Sequence, residues 1–176
     1  MTGPVPQIVV MGVSGPGKST LGAQVASRLD WDFVEGDRHH PLTNIERMAA
    51  GYPLTDADRA PWLASLAVVL ASSDAAARPC VLTCSALRRA YRDTLRSGGG
   101  RVGFVHLHGE RSLLEQRLNA RRNHFFEPDL LGSQLATLEP LAGEEDGIVV
   151  DIALSLDVQT DQVLSWARQT GRIAAR

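Results

Sequence analysis

The sequence of 176 residues has no large surplus of either charge and no long apolar run. Its formal net charge of −2 argues against a large non-specific nucleic-acid surface, so we expect no nucleic-acid partner. No stretch approaches the roughly 18 apolar residues that a membrane helix needs, and no basic leader precedes the first apolar run. We therefore expect a cytoplasmic protein without membrane contact.

The sequence is also poor in cysteine. Its two cysteines, Cys80 and Cys84, lie in the apolar run PCVLTCSAL. In a strand, residues at this spacing stand ~13 Å apart, which is too far for a disulfide bond. A Cys-x-x-x-Cys pair without a second pair is a poor zinc signal. We expect two small core residues in a reducing compartment.

Short apolar runs alternate with amphipathic stretches along the chain. The runs that predict strands are QIVVMGV (7–13), DFVEGD (32–37), CVLTC (80–84), VGFVHLH (102–108) and GIVVDI (147–152). Strand–helix alternation predicts an α/β fold: a five-stranded parallel sheet flanked by helices, in a single domain over residues 1–176. In such folds ligands bind at the carboxyl ends of the strands.

Two helix predictions concern residues near those strand ends. Pro61 suits a first helical turn, so we expect a helix from about Pro61 to Ser72. The stretch ALRRAYRDTLR (86–96) predicts a helix with a basic face, on which Arg88 and Arg92 are four residues apart and lie side by side.

The loop after the first strand carries the clearest chemical signal. Gly12, Gly17, Lys18 and Ser19 fill the pattern G-x-x-x-x-G-K-[ST], between a predicted strand and a predicted helix. Backbone N–H groups and the helix N-terminus would bind phosphates, Lys18 would reach the terminal phosphates, and Ser19 would ligate Mg²⁺. The expected ATP-binding residues are Gly12, Val13, Ser14, Gly15, Pro16, Gly17, Lys18, Ser19 and Thr20. Pro16 has no N–H, so either its position does not donate or nucleotide affinity is reduced.

A phosphate-binding loop alone does not distinguish switches, motors and kinases. The sequence has no Asn-Lys-x-Asp for reading guanine, and its Asp-x-x-Gly match, DLLG (129–132), follows Pro128 rather than an apolar run. GIVVD ends in an acid as motor ATPases require, but it is the last strand and no arginine-finger module follows. The prediction that remains is a small phosphotransferase. The alternative is a regulator that binds nucleotide without turnover, which would require that catalytic residues are missing from the sequence.

The second strand ends in acidic residues, in the stretch FVEGDRHHP. Glu35 and Asp37 are two residues apart and can face the same cleft. A kinase that phosphorylates a hydroxyl group needs a carboxylate to orient that group and accept its proton. We expect Asp37 to be this base and a second Mg²⁺ ligand, the alternative being a solvated acidic turn.

Further stretches agree in order and spacing with a known family. The sequences GVSGPGKST, EGDRHHP, NIERMAAGYPLTDADRAPWL, CSALRRAYRDTLR and RLNARRNHFFEPDLLGSQLATLE resemble gluconate kinase of the small P-loop type, from about Ile8 to Asp151. The resemblance implies phosphorylation of D-gluconate by ATP with Mg²⁺, a fold like that of the nucleoside monophosphate kinases, and a homodimer. It also implies an acceptor-binding region at about 38–75 and a mobile lid at about 117–138. The alternative is a kinase of the same fold for another hydroxy acid, such as shikimate.

The sequence departs from the family pattern at Pro16, Glu35, Arg47 and Asn123. Glu35 replaces Asp and Arg47 replaces Lys, so charge is kept at both. Asn123 replaces a glycine, and asparagine tolerates positive φ better than most residues. None of these changes removes a group that the chemistry requires.

Arginines and histidines complete the expected site. Arginine is suited to bidentate contact with a sugar-acid carboxylate. We expect the substrate to be bound by Asp37, His40, Arg59, Arg88, Arg92 and His124. In the lid, Arg121 is the expected catalytic arginine that, together with Lys18, offsets charge on the transferred phosphoryl group. Asp37 is the third expected catalytic residue, as the base, and Arg117 is the second nucleotide contact in the lid.

Overall fold

The computed structural model describes residues 4–120 and 128–174, without the side chains of residues 128 and 129. The strands are β1 (Pro6–Met11), β2 (Asp32–Glu35), β3 (Cys80–Thr83), β4 (Arg101–His108) and β5 (Gly147–Asp151). The helices are α1 (Lys18–Leu29), α2 (Leu42–Ala49), α3 (Asp56–Ala75), α4 (Arg89–Arg96), α5 (Arg111–Ala120), α6 (Pro128–Thr137) and α7 (Leu156–Gln169), with a 3₁₀ turn at Gly36–His39. All five predicted strands are confirmed.

The strands form one parallel sheet in the order β2-β3-β1-β4-β5. The central strand β1 is β-branched and apolar from Ile8 to Val10, and these residues are fully buried between β3 and β4. Because every strand runs in the same direction, all carboxyl ends meet at one edge of the sheet. The predicted fold class is confirmed. The candidate functional residues lie at this edge of the sheet.

Helices flank the sheet and complete one hydrophobic core. Helix α1 packs against β3 and α7, whereas α3 packs against α4. Cys80 and Cys84 are buried free thiols in this core, and burial raises the pKa of Cys84 to about 12. Among the described residues, no helix has the length and apolar character to span a bilayer.

Two helices begin at other residues than the sequence predicted. Helix α3 begins at Asp56, because Thr55 and Asp58 form a reciprocal capping box, and Pro61 therefore lies inside the helix rather than in its first turn. Helix α4 begins only at Arg89: Ala86 has a positive φ of 44°, and Arg88 is an extended N-cap residue. Arg88 and Arg92 consequently do not lie side by side on one helix, and that prediction is wrong.

Candidate active site

A cavity of about 570 Å³ opens at the carboxyl edge of the sheet. Its walls come from the loop after β1, the 3₁₀ turn after β2, the segment from α2 into α3, and helices α5 and α6. The lining residues include Ser14, Gly15, Gly17, Lys18, Ser19, Asp37, His40, Arg59, Trp62, Ser85, Leu118, Ser133 and Gln134. The structure thus brings the predicted phosphate loop and the predicted acceptor residues Asp37, His40 and Arg59 into one space.

The phosphate loop depends on glycine conformations. Gly12 has φ 135°, and a Cβ there would lie 2.7 Å from the Leu107 carbonyl oxygen, so only glycine fits beside β4. The N-cap of α1 is Gly17, which offers no side-chain cap, and the first turn of α1 carries no acidic residue. The uncapped N–H groups and positive end of α1 therefore face the cavity, as an anion site requires.

Lys18 and Pro16 have defined contacts in this loop. The Lys18 ammonium donates a hydrogen bond to the Val13 carbonyl at 2.8 Å. Pro16 is buried, and its carbonyl accepts a hydrogen bond from Arg117 at 3.1 Å. A second donor of the Arg117 guanidinium reaches the Ile152 carbonyl at 2.6 Å, so Arg117 links the phosphate loop to the segment after β5.

Asp37 is held at the cavity by the close fit of the 3₁₀ turn to β3. A Cβ on Gly36 would lie 1.9 Å from the Thr83 carbonyl oxygen. The Gly36 N–H donates to the Thr83 hydroxyl at 3.1 Å, and the Trp62 indole N–H donates to the Gly36 carbonyl at 2.9 Å. The backbone before Asp37 is therefore fixed on both sides, and its exposed carboxylate lines the cavity.

Glu35 has a different place. Its carboxylate accepts a hydrogen bond from the Thr83 hydroxyl, and it does not line the cavity. Of the two acids that end β2, Asp37 is the one positioned to meet a bound molecule.

His40 stacks on Trp62, with ring centroids 4.0 Å apart and an interplanar angle of 16°. The Asn44 side chain, buried in α2, lies 3.3 Å from His40 Nδ1 and donates to the Asp58 carbonyl at 2.8 Å. Burial lowers the pKa of His40 below its ordinary 6.5, although Asp37 opposes this shift and Arg59 adds to it. At neutral pH, His40 is therefore an uncharged hydrogen-bonding group in the cavity wall.

Arg59 supplies positive charge to the acceptor side of the cavity. It is 9% exposed, donates to the Leu54 carbonyl, and has its guanidinium carbon 5.8 Å from the centre of the Tyr91 ring. A buried guanidinium that still faces a cavity can bind a carboxylate with little competition from water.

Arg92 does not belong to this site, and the prediction that it binds substrate is corrected here. It is fully buried and forms a bidentate ion pair with Glu145, at 2.8 Å from Nε and 2.7 Å from Nη2. Its other donors reach carbonyls of the main chain: Ala86, Leu87, Glu139 and Pro140. No donor is left for a ligand, so Arg92 serves the core.

Arg88 also lies away from the cavity wall. Its guanidinium pairs with Asp56 at 3.1 Å, and both side chains are about half exposed. Asp56 additionally accepts the Tyr91 hydroxyl, so Arg88 supports the start of α3. The predicted residues Arg121 and His124 lie outside the described residues, as does the departure Asn123.

Ser19 and Asp37 are the described oxygen donors that fit a magnesium ion. Both are exposed to the same cavity, and hydroxyl and carboxylate oxygens are ligands that Mg²⁺ accepts. Within residues 4–120 and 128–174, no group of three or more His, Cys, Asp or Glu side chains forms a metal site.

Sequence reasoning assigned no role to two cavity residues, Trp62 and Gln134. Both lie in stretches that resemble the gluconate kinase pattern, so their positions could have been singled out. Their contacts could not, because the partners Gly36 and Ser14 are 26 and 120 residues away in the chain.

Comparison with known proteins agrees with this geometry. A family model described as an AAA domain matches residues 8–141. The gluconokinase of Gluconobacter oxydans (strain 621H) is 46% identical over 157 residues, covering 89% of this chain and 88% of that protein. The chain belongs to the gluconokinase family. A crystal structure of a gluconokinase from Sinorhizobium meliloti 1021 is 43% identical, with a TM-score of 0.85, and the match covers 96% and 95% of the two chains.

The gluconokinase resemblance found in the sequence is therefore confirmed. A shikimate kinase from Aquifex aeolicus has a TM-score of 0.65 at 13% identity, a likeness that extends to the fold alone. In this chain, the candidate site is a phosphate loop that faces an acid, a neutral histidine and a buried arginine.

Proposed function

We propose that this protein transfers the γ-phosphoryl group of ATP to D-gluconate and forms 6-phospho-D-gluconate. The observation that carries this proposal is that one and the same cavity is lined by the phosphate loop and by Asp37 and Arg59. The relatives named gluconokinase support the choice of acceptor. The fold-level likeness to shikimate kinase gives no comparable support for shikimate.

On the nucleotide side, Gly12–Thr20 would bind the polyphosphate through backbone N–H groups and the N-terminus of α1. Lys18 would neutralise charge on the terminal phosphates. Ser19 and Asp37 would hold Mg²⁺, which would offset the negative charge of the phosphate groups. Arg117 would set the shape of the loop through Pro16, and we propose Arg121 as the lid arginine at the transferred group.

On the acceptor side, Arg59 would bind the gluconate carboxylate, and His40 would hydrogen-bond a hydroxyl group. Asp37 would accept the proton of the gluconate C6 hydroxyl group while the oxygen of that hydroxyl group forms a bond to the γ-phosphorus. The bond from that phosphorus to the bridging oxygen breaks, and ADP leaves with the electron pair. His124 is a further proposed contact, whereas Arg88 and Arg92 are engaged elsewhere.

The wider proposals follow from the resemblance. We propose one kinase domain with an acceptor-binding region at about 38–75 and a lid at about 117–138, acting in the cytoplasm as a homodimer. Size-exclusion chromatography with light scattering would test the dimer.

The deciding experiment measures ADP release with Mg·ATP and a panel of acceptors: D-gluconate, other sugar acids, shikimate, nucleoside monophosphates and none. We expect strong stimulation by D-gluconate alone. Stimulation by another acceptor would keep the phosphoryl transfer and replace the substrate. Binding of ATP with no stimulation by any acceptor would count against an enzyme and favour a regulator.

A further inference from the structure

The phosphate loop is engaged by a side chain from helix α6. The backbone N–H of Ser14 donates a hydrogen bond to the Gln134 side-chain oxygen at 2.6 Å. Ser14 lies within the loop from Gly12 to Ser19, and the backbone N–H groups of loops of this kind cradle phosphate groups. A neutral amide oxygen thus occupies a donor that a polyphosphate would use.

The position of Gln134 allows its side-chain oxygen to compete with a phosphate group for the Ser14 N–H and to be displaced by it. Both Gln134 and Ser133 line the cavity, while Leu131 on α6 is 1% exposed and anchors the helix in the core. Two residues after α6, the Glu139 N–H donates to the Leu87 carbonyl at 2.7 Å. Either a change of rotamer at Gln134 or a movement of α6 with the proposed lid would free the Ser14 N–H.

The two possible acceptors differ in strength. A hydrogen bond to a phosphate oxygen is charge-assisted and about twice as strong as one to a neutral amide. The phosphate also gains from Lys18 and from the positive end of α1, which the amide oxygen does not. The amide is therefore strong enough to satisfy the donor in the free protein and weak enough to be displaced.

We propose that Gln134 is a positioning residue that occupies the Ser14 N–H in the free enzyme and is displaced by a phosphate group of the nucleotide. Gln134 thereby lowers nucleotide affinity. The inference rests on the proposed function only in requiring that the loop binds nucleotide. It does not depend on gluconate.

The test is calorimetric titration of ADP with Mg²⁺, without acceptor, into the full chain. Gln134→Leu removes the competing oxygen at similar size, so we expect ADP to bind about 2- to 10-fold tighter. Gln134→Glu places a charged acceptor beside the loop, and we expect binding to weaken about 10-fold or more. Gln116, an exposed glutamine on α5, gives matched controls as Gln116→Leu and Gln116→Glu, which should both bind as the unchanged chain does.

A second readout separates this role from general support of the fold. The amide resonance of Ser14 should shift in ligand-free Gln134→Leu, and Gln116→Leu should leave it in place. Unchanged ADP affinity in Gln134→Leu would contradict the proposal, and so would weaker affinity, which would make Gln134 a direct nucleotide contact. Failure of D-gluconate as acceptor would leave these binding results intact, so the two proposals fail independently.

Discussion

His40 and Trp62 form a parallel stack at the acceptor side of the cavity, with their ring centroids 4.0 Å apart. The indole N–H of Trp62 is meanwhile bound to the Gly36 carbonyl at 2.9 Å. One tryptophan therefore sets both the environment of the histidine and the backbone that precedes Asp37. Substitution of Trp62 should therefore change the pKa of His40, and that change can be measured.

The pKa of His40 should be lower than its ordinary 6.5, because burial disfavours the imidazolium form. Trp62→Leu removes much of that cover, so we expect the His40 pKa to rise back toward 6.5. NMR titration of the imidazole protons measures this, with the resonance assigned by its absence in His40→Gln. A His40 pKa at or above 6.5 in the unchanged chain would contradict the expectation.

Asp37→Asn should reduce kcat about 10²- to 10⁴-fold, because the amide cannot accept the hydroxyl proton. The thermal midpoint of unfolding should change little, since the carboxylate is exposed. Glu35→Gln is the matched control, because Glu35 bonds Thr83 and does not line the cavity. Steady-state kinetics of both variants test whether Asp37 is the base. An equal loss of kcat in the two variants would contradict that role.

Arg59→Met should raise the KM for D-gluconate about 10- to 100-fold, because it removes a charged hydrogen bond to the substrate carboxylate. Arg88→Met should leave that KM nearly unchanged, because Arg88 forms an exposed ion pair with Asp56. Initial-rate measurements at saturating ATP compare the two. If Arg88→Met gave the larger rise, the acceptor carboxylate would lie nearer to α4 than we propose.

Gly36→Ala should destabilise the fold by about 1–3 kcal/mol, because a Cβ would lie 1.9 Å from the Thr83 carbonyl oxygen. It should also lower kcat, since the backbone of Asp37 would have to shift. Gly132 in α6 has no atom within 4 Å of an added Cβ, so Gly132→Ala should be neutral or slightly stabilising. Urea unfolding of both variants tests the contrast.

The Arg92–Glu145 pair should make stability depend on pH in acid. The hydrogen bond from Arg92 lowers the pKa of Glu145 from an ordinary 4.5 to about 2. The folded chain therefore binds fewer protons here than the unfolded chain. The stabilisation is complete above about pH 4.5 and is lost as the pH falls through about 2. Glu145→Gln should flatten this part of the stability curve, which denaturant titrations at stepwise lower pH would record.

Removal of Arg92 should affect stability rather than substrate binding. Among the residues that the structure describes, Arg92→Met leaves the buried Glu145 carboxylate with Arg96 as its one remaining charged partner, so we expect a loss of about 3–5 kcal/mol. At a temperature where the variant stays folded, its KM for D-gluconate should equal that of the unchanged chain. A raised KM without loss of stability would return Arg92 to the substrate site.

The sequence predicted those features that depend on neighbouring residues. The strands are readable because β-branched runs end in glycine or acids, and the phosphate loop is readable because its chemistry lies within nine consecutive residues, Gly12–Thr20. The start of α3 could also have been predicted, since Thr55 and Asp58 have capping-box spacing. The prediction instead placed the helix start at Pro61, five residues too late.

The features that could not be predicted depend on distant partners. Arg92 has the residue type and position of a substrate ligand, and only the approach of Glu145, 53 residues later, places it in the core. Gln134 likewise meets Ser14 only through the packing of α6 over the loop. In both cases the side chain's role is set by tertiary contacts that no local pattern contains.

The hydrogen bond from Arg117 to the Pro16 carbonyl has a consequence for the thermodynamics of binding. Proline fixes its own φ, and the guanidinium holds its carbonyl in place, so this part of the loop has little rotational freedom left before any ligand arrives. The ordering entropy of the anion site is then largely lost during folding rather than during association. Within this loop, nucleotide binding should therefore carry only a small conformational entropy penalty.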